Sequence, residues 1–184
     1  WKGKMFEACQ SGQTKIAKLL LERCNSEESG LNIKDGKHER TPFMIACING
    51  HKDVVKLFLD HSEAPIELNA RDNRGWTAFM NACQRGHKDV VQLLQNHSDR
   101  IDLKNIRIAL IIACQEGHKD GVQLLLNSDS NAKNAFIWAC KEDRIDIIQL
   151  FLDHSKRIDL NARDNFGWTA LMWACKEGRQ DVVR

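Results

Sequence analysis

Residues 69–94 read NARDNRGWTAFMNACQRGHKDVVQLL, and residues 161–183 read NARDNFGWTALMWACKEGRQDVV. The two stretches align without a gap, and residues 41–59 (TPFMIACINGHKDVVKLFL) fit the same frame. The dipeptide Ala-Cys at the centre of this frame occurs six times, with its cysteine at positions 9, 47, 83, 114, 140 and 175. The spacings between successive cysteines are 38, 36, 31, 26 and 35 residues. A period of this size indicates a protein built from stacked repeats.

Each unit of the repeat predicts a turn followed by two helices. In the unit centred on Cys83, residues 72–75 (DNRG) form the turn, since Asn and Gly tolerate positive φ and Asp bonds its own backbone. Thr77 stands where an N-cap belongs, and Gly86 stands at the left-handed position that ends the first helix. Asp89 begins a second helix with an apolar stripe. The sequence therefore predicts an all-α solenoid of helix-turn-helix units.

The pattern D-x-x-G-x-T-[AP]-x-x-x-A-C-x-x-G-H-x-D-V-V-x-L-L-L resembles the ankyrin repeat family, which has a period of about 33 residues and the core motif T-P-L-H-x-A. Residues 41–46 (TPFMIA) carry that core here, and Met44, Met80 and Met172 replace the histidine of the family motif. The resemblance covers essentially all 184 residues. It implies stacked helix pairs with short β-hairpin fingers, the turns that precede the first helix of each unit.

Six repeats are predicted in a single ankyrin repeat array over residues 1–184, with approximate bounds 1–31, 32–68, 69–103, 104–129, 130–160 and 161–184. Residues 101–107 (IDLKNIR) lack the Asp-x-x-Gly turn, and the linker 127–133 is too brief for a hairpin. We therefore expect the finger to be reduced at the fourth repeat and absent at the fifth. Both ends of the sequence fall inside the pattern, so we expect further repeats or other domains of the same chain beyond them.

The charges of the chain are balanced, with 27 basic and 25 acidic residues and a net charge of +2. This balance gives no reason to expect a nucleic-acid partner or a membrane surface. No run of 18 apolar residues is present, so we expect no direct membrane insertion. No motif in the sequence calls for a cofactor.

Six of the seven cysteines share one repeat-equivalent position on the inner face of the first helix. We expect each to be a buried free thiol that packs as a small hydrophobe. Free thiols in this number favour a reducing compartment, cytoplasmic or otherwise intracellular. Cys24 is the odd one and lies near the end of a helix.

His51, His87 and His118 each follow Gly in the sequence G-H-K-D. Because equivalent positions of a solenoid lie about one repeat apart, we expect these imidazoles to bond neighbouring loop backbone rather than to share a metal ion. The sequence contains no C-x-x-C, H-E-x-x-H, G-x-S-x-G or glycine-rich phosphate loop. We therefore expect neither a metal site nor an enzyme.

Two variable positions of the unit are candidates for binding, because the ankyrin resemblance implies that both face a concave groove that meets partners. One precedes the capping threonine, and the other precedes Ala-Cys. Residues of the fingers would add a polar rim to these positions. The candidate partner-binding residues are Ile45, Arg74, Trp76, Asn81, Ile112, Trp138, Arg163, Asp164, Trp168 and Trp173.

The tryptophans are the strongest of these candidates, since exposed aromatic residues anchor many interfaces. Trp138 and Trp173 are interpreted as interface residues, because Asn81 and Glu7 occupy the same position and are types that are seldom fully buried. Trp76 and Trp168 recur in an identical context, so packing between units and contact with a partner are both open for them. Trp138, Trp168 and Trp173 lie in the last two repeats and could form one aromatic patch.

These observations predict a non-catalytic scaffold for protein–protein interaction, which binds a protein or peptide in the groove of fingers and first helices. Two alternatives stay open. The array is a structural spacer in a channel or scaffold, or it is a regulatory arm of an enzyme or effector.

Overall fold

The computed structural model describes residues 1–23, 30–61, 66–126, 132–153 and 159–184. Within those ranges every regular element is a helix, and no strand occurs. The Ala-Cys dipeptides lie on α1 (Lys2–Ser11), α3 (Pro42–Ile48), α5 (Ala78–Gln84), α7 (Leu103–Glu116), α9 (Lys133–Lys141) and α11 (Ala170–Lys176). The helices that follow them are α2 (Thr14–Arg23), α4 (Lys52–Asp60), α6 (Lys88–Gln95), α8 (Lys119–Leu126), α10 (Ile145–Asp153) and α12 (Gln180–Val183). The all-α fold in helix pairs is the one that the sequence predicts.

The chain divides into two compact units, Trp1–Asn105 and Ile106–Arg184. In the first unit, α3 packs on its own partner α4 and on the equivalent helices α1 and α5, and α4 packs on α2 and α6. In the second unit, α9 packs on α10 and α11, and α10 packs on α8. Each helix thus covers the apolar side of its counterpart in the next repeat, as expected of a solenoid. A single array over all 184 residues, with the six bounds given above, stays a prediction.

The first helix of three repeats begins at a threonine cap. The hydroxyl oxygens of Thr41, Thr77 and Thr169 accept hydrogen bonds from the backbone N–H three residues later, at 3.2, 3.3 and 3.3 Å. Each bond satisfies one of the backbone donors that a helix start leaves unpaired. The predicted cap at Thr77 is therefore confirmed.

A side chain at the start of the second helix links successive repeats. His51 Nε2 lies 2.9 Å from the carbonyl oxygen of Gln10, and His87 Nε2 lies 2.9 Å from that of Ile48. A carbonyl only accepts, so in each ring Nε2 carries the proton and donates it. The prediction that these imidazoles bond backbone of the neighbouring repeat is confirmed for His51 and His87, but the acceptors lie at the ends of α1 and α3 rather than in a loop.

Arginine takes over this link in the last two repeats. Arg144 Nη2 donates to the carbonyl of Gln115 at 2.7 Å, and Arg179 Nε donates to that of Lys141 at 2.9 Å. The position therefore requires a donor that reaches back by one repeat, and either side chain supplies it.

The cysteines lie mostly where the sequence predicts them. Five are buried free thiols, namely Cys9, Cys47, Cys83, Cys114 and Cys140. The prediction is wrong for Cys175, which is exposed, because the helices that pack on α11, namely α9 and α12, leave this thiol uncovered. Cys24 lies outside the described residues.

The fourth repeat starts differently from its neighbours. Its first helix α7 begins at Leu103 and has 14 residues, against 7 in α5. Asn105, near its start, is fully buried; its amide donates to Asn69 Oδ1 at 3.0 Å and accepts from Arg71 Nη2 at 2.8 Å. A helical turn held by polar contacts thus occupies the place of the Asp-x-x-Gly turn. A reduced hairpin at the fourth repeat stays a prediction. The linker expected to lack a finger at the fifth repeat is residues 127–133, and residues 127–131 of it lie outside the described residues.

Candidate protein-interaction site

The site is built on the turn that precedes α11. Asp164 Oδ1 accepts hydrogen bonds from the backbone N–H of Phe166 at 2.8 Å and of Trp168 at 2.9 Å. The backbone N–H of Asp164 donates to the Trp168 carbonyl at 2.9 Å and closes the turn. Gly167 adopts a φ of 79°, which an L side chain rarely takes. This tight turn presents Phe166 with 80% of its surface exposed.

The second oxygen of Asp164 fixes a tryptophan of the following helix. Trp173 Nε1 donates to Asp164 Oδ2 at 2.7 Å. The Trp173 ring lies beside the Trp168 ring, with the centroids 5.0 Å apart and the planes tilted by 39°. Two half-buried indoles are therefore held together by one carboxylate and by their own contact.

The pKa of Asp164 is lowered below its ordinary value. Desolvation acts to raise this pKa, but the hydrogen bonds from the Trp168 N–H, the Trp173 indole and the Phe166 N–H together outweigh it. The carboxylate is therefore ionised at neutral pH, with its two oxygens committed to the turn and to Trp173.

Two lysines lie over the paired indoles. Lys141 Nζ is 4.6 Å from the Trp173 ring centroid. Lys176 Nζ is 4.6 Å from the Trp173 centroid and 5.1 Å from the Trp168 centroid. These are cation–π distances, and they place two positive charges at the rim of the aromatic pair.

Next to this pair lies a concavity of about 300 Å³, which we call the aromatic concavity. Trp138 from α9 and Phe166 from the turn line it together with Trp173, and all three rings are at least partly exposed. Its complete lining is Ile111, Asn134, Ile137, Trp138, Lys141, Asp164, Asn165, Phe166 and Trp173. The structure thus brings together Trp138, Asp164 and Trp173 of the predicted site, with Trp168 packed on Trp173.

Arg163 holds the same turn from the side. Its Nη1 donates to the Gly167 carbonyl at 2.7 Å, as Arg71 Nη1 does to the Gly75 carbonyl at 2.7 Å. Arg163 is exposed but engaged in the turn, so its predicted rim role stays a prediction.

The equivalent place in the first unit has polar side chains instead. The Arg74 guanidinium lies 4.9 Å from the centroid of the half-buried Trp76, and its Nη2 donates to Asn81 Oδ1 at 3.3 Å. Asp72 accepts from the N–H groups of Arg74 and Trp76 at 3.0 and 2.9 Å. The turn is the same as in the last repeat, but Arg74 and Asn81 stand where Phe166 and Trp173 stand there.

Two of the predicted binding residues are buried. Asn81 is 2% exposed and Ile112 is 6% exposed, whereas Ile45 is half-buried. The expectation that a position with Asn is not fully buried is wrong for Asn81, because its amide is satisfied by Arg74 and by the Thr77 carbonyl at 3.0 Å. Burial leaves Asn81 and Ile112 little surface with which to meet a partner.

The sequence analysis missed several residues of the site, and three of them carry its chemistry: Phe166, Lys141 and Lys176. The remaining unpredicted lining residues are Ile111, Asn134, Ile137 and Asn165. Phe166 carried a signal, since it is an aromatic residue at a turn position where the equivalent residue is Arg74. A turn tip has no core to bury a ring, and an aromatic residue there indicates exposed apolar surface. The lysines carried no signal, because their positions over the rings depend on the fold.

The comparisons with known proteins identify the class of protein that this fold defines. The sequence profile described as "Ankyrin repeats (3 copies)" matches residues 5–105, 62–134 and 110–184, and the chain therefore belongs to the ankyrin repeat family. The chain is similar in fold to the crystal structure of the ankyrin repeat domain of Bcl-3, described as a unique member of the IkappaB protein family. That match has a TM-score of 0.82 at 22% sequence identity and covers 97% of this chain and 82% of that chain. No curated protein matches the sequence significantly.

Ankyrin repeats generally mediate protein–protein interactions and are generally non-catalytic modules. Within the described ranges no three His, Cys, Asp or Glu side chains are grouped so as to hold a metal ion. In the same ranges no helix has the length and apolar character that crossing a membrane requires.

Proposed function

We propose that the second unit binds a protein or peptide at the aromatic concavity. The observation that carries this proposal is Phe166, a large apolar side chain with 80% of its surface exposed at the mouth of a concavity lined by two further half-exposed rings. A ring held in water by a rigid turn contributes little to folding, but it is available to bury surface against a partner.

The neighbouring contacts support an interface rather than a packing role for these rings. Asp164 fixes Trp173, and Trp173 fixes Trp168, so the aromatic surface is preorganised before any partner arrives. Preorganised side chains lose less conformational entropy on binding. Trp138 faces the same concavity and would contact the same partner.

The proposal is tested with peptides selected against the 184-residue chain from a displayed library of random dodecapeptides. The variant Phe166→Ala removes the exposed ring and leaves the hydrogen bonds of the turn backbone in place. We expect this variant to raise the Kd of the selected peptides by about tenfold or more, because truncating an interface anchor commonly costs this much binding. Its thermal unfolding midpoint should stay close to that of the parent chain.

Ile145→Ala is the matched control, since Ile145 is 46% exposed in the same unit but does not line the concavity. The variants Trp138→Ala and Trp173→Ala extend the test, each with its unfolding midpoint measured. Peptides that bind Phe166→Ala and the parent chain equally would contradict the proposal. If Trp173→Ala loses peptide binding only because its unfolding midpoint falls, the Trp173 ring belongs to the core. That result would favour the role of a spacer.

A further inference from the structure

We propose that the partner segment is acidic, with an apolar side chain that enters the aromatic concavity and carboxylates beside it that meet Lys141 and Lys176. This inference deepens the proposed function and rests on it. It follows from the charges and hydrogen-bond donors that the concavity leaves without partners.

The two lysines have no carboxylate to neutralise them. No carboxylate oxygen of the described residues lies within 4 Å of Lys141 Nζ or Lys176 Nζ. Some other lysines of the described residues are paired, among them Lys119 with Asp146 at 3.3 Å. Both ammonium groups instead lie over the Trp173 indole, which lines the concavity. Lys141 also lines the concavity, whereas Lys176 lies over the adjoining pair of indoles.

The one acidic residue that lines the concavity does not compete for these lysines. Asp164 accepts three hydrogen bonds, two from backbone N–H groups and one from the Trp173 indole. A carboxylate satisfied in this way keeps its negative charge, but its oxygens are directed into the turn. Among the charged groups of the lining, Lys141 therefore keeps its ammonium group without a carboxylate partner, while the Asp164 oxygens already accept from the turn and from Trp173.

The free hydrogen-bonding groups point to the same chemistry. The indole N–H of Trp138 makes no hydrogen bond to a described residue, in contrast to that of Trp173. An indole nitrogen only donates, and so does an ammonium group. The lining also holds the amides of Asn134 and Asn165, which both donate and accept, whereas Trp138 and Lys141 offer donors alone. A ligand rich in acceptors, such as a Glu- or Asp-containing segment, satisfies these two donors.

The same groups suit a peptide better than a nucleic acid. Binding to nucleic acid draws on a continuous basic surface that neutralises many phosphates, whereas this chain has a net charge of +2. Lys141 in the lining and Lys176 over the adjoining indoles match a short acidic motif with a single apolar anchor.

The test examines the amino-acid composition of the dodecapeptides that bind the parent chain but do not bind Phe166→Ala. We expect Asp and Glu to be enriched, and Lys and Arg depleted, next to an aromatic or aliphatic residue. For one enriched peptide, we then measure the Kd for the parent chain, for the double variant Lys141→Gln/Lys176→Gln and for the control Lys119→Gln. The double variant should bind about tenfold more weakly and with a smaller salt dependence between about 0.05 and 0.5 M NaCl, and the control should match the parent.

The outcomes separate this inference from the proposed function. Peptides that depend on Phe166 but show no acidic enrichment, or whose Kd does not change in the double variant, would overturn the acidic partner and keep the binding site. A failure to select any Phe166-dependent peptide would overturn both. Displacement of the acidic peptide by a single-stranded oligonucleotide of equal length at comparable concentration would overturn the peptide partner in favour of nucleic acid, whose bases also stack on exposed rings.

Discussion

At the scale of single residues, Asp143 departs from the repeat because it places a side chain in a left-handed backbone conformation that favours glycine. It has a φ of 60° at the position where Gly12, Gly50, Gly86, Gly117 and Gly178 occupy the same left-handed conformation in the other repeats. A side chain in this conformation crowds the following carbonyl. Its Oδ1 is also buried without a hydrogen-bond partner among the described residues, which adds a desolvation cost.

We therefore predict that Asp143→Gly stabilises the chain. The free energy of unfolding should rise by about 0.5–1 kcal/mol, since the strain at φ 60° is relieved while the more flexible unfolded chain offsets part of the gain. Urea unfolding followed by tryptophan fluorescence measures the change, and the absence of tyrosine in the sequence keeps that signal simple.

Glu142→Gly is the control for this prediction. Glu142 has a φ of −95°, so glycine there relieves no strain and should lower the stability. If Asp143→Gly were as destabilising as Glu142→Gly, the left-handed backbone would not be the reason that the other repeats have glycine.

At the scale of the helices, one side chain joins each pair to the preceding pair. The His87 imidazole lies against the backbone of Gly50, where a Cβ would come within 2.6 Å of Nδ1, and its Nε2 donates to the Ile48 carbonyl. The glycine ends α3, and the histidine precedes α6. One contact therefore satisfies a carbonyl at the C-terminus of a helix and positions the next helix pair.

We predict that His87→Ala lowers the free energy of unfolding by about 1–2 kcal/mol, because it leaves the Ile48 carbonyl unpaired and opens a gap over Gly50. His87→Arg should retain more of the stability than His87→Ala, since Arg144 and Arg179 make the equivalent bond in this chain. Chemical denaturation of both variants measures the difference. Equal stability of His87→Ala and the parent would mean that helix packing alone joins the repeats.

At the scale of the whole molecule, the repeated thiols give the fold a dependence on alkaline pH. Burial raises the pKa of Cys9 and of Cys140 to about 12, and it raises the pKa of Cys47, Cys83 and Cys114 as well. In the unfolded chain these thiols titrate near about 8.5. Above that pH the unfolded state binds fewer protons than the folded state, so ionisation favours unfolding.

We therefore predict that stability is unaffected by these thiols below about pH 8.5 and falls as the pH rises from there towards the folded pKa values. Each buried thiol contributes at most about 1.4 kcal/mol per pH unit. The measurement is the free energy of unfolding between about pH 7.5 and 9.5 in a Cys24→Ser/Cys175→Ser background, which retains only the five buried thiols.

Cys83→Ala in the same background should reduce the slope of stability against pH. Reaction with a thiol reagent gives an independent check, because buried thiols should react only as fast as the chain opens. A slope that does not change in Cys83→Ala would show that the thiols do not carry the alkaline dependence.

Much of the fold could be predicted from the sequence because its determinants are local. The Thr77 cap, the glycine after α5 and the acidic start of α6 each act within one helical turn, and all three occur as predicted. Because the cysteines recur at one position of the repeat, the sequence alone also predicts that they share the inner face of the first helices. The exception, Cys175, depends on which helices pack against α11, and no local pattern records that.

The candidate site was only partly predictable for the opposite reason. Asn81 and Trp173 occupy one position of the repeat, yet the first is buried under Arg74 and the second lies beside a concavity. The difference comes from contacts between residues seven or more positions apart, such as Arg74 with Asn81 and Asp164 with Trp173. Exposure at a variable position is therefore set by its neighbours rather than by its own residue type.

The sequence by itself determined the family, the helix pairs, their caps and the inner cysteine face, since short-range hydrogen bonding and a repeated apolar pattern are sufficient for these. Only the tertiary structure decided which rings stay in water and which charges stay unpaired. Packing places Lys141 and Lys176 over Trp173, commits both oxygens of Asp164 and leaves Phe166 exposed at the mouth of the concavity. These properties depend on distances between side chains that only the folded chain brings together.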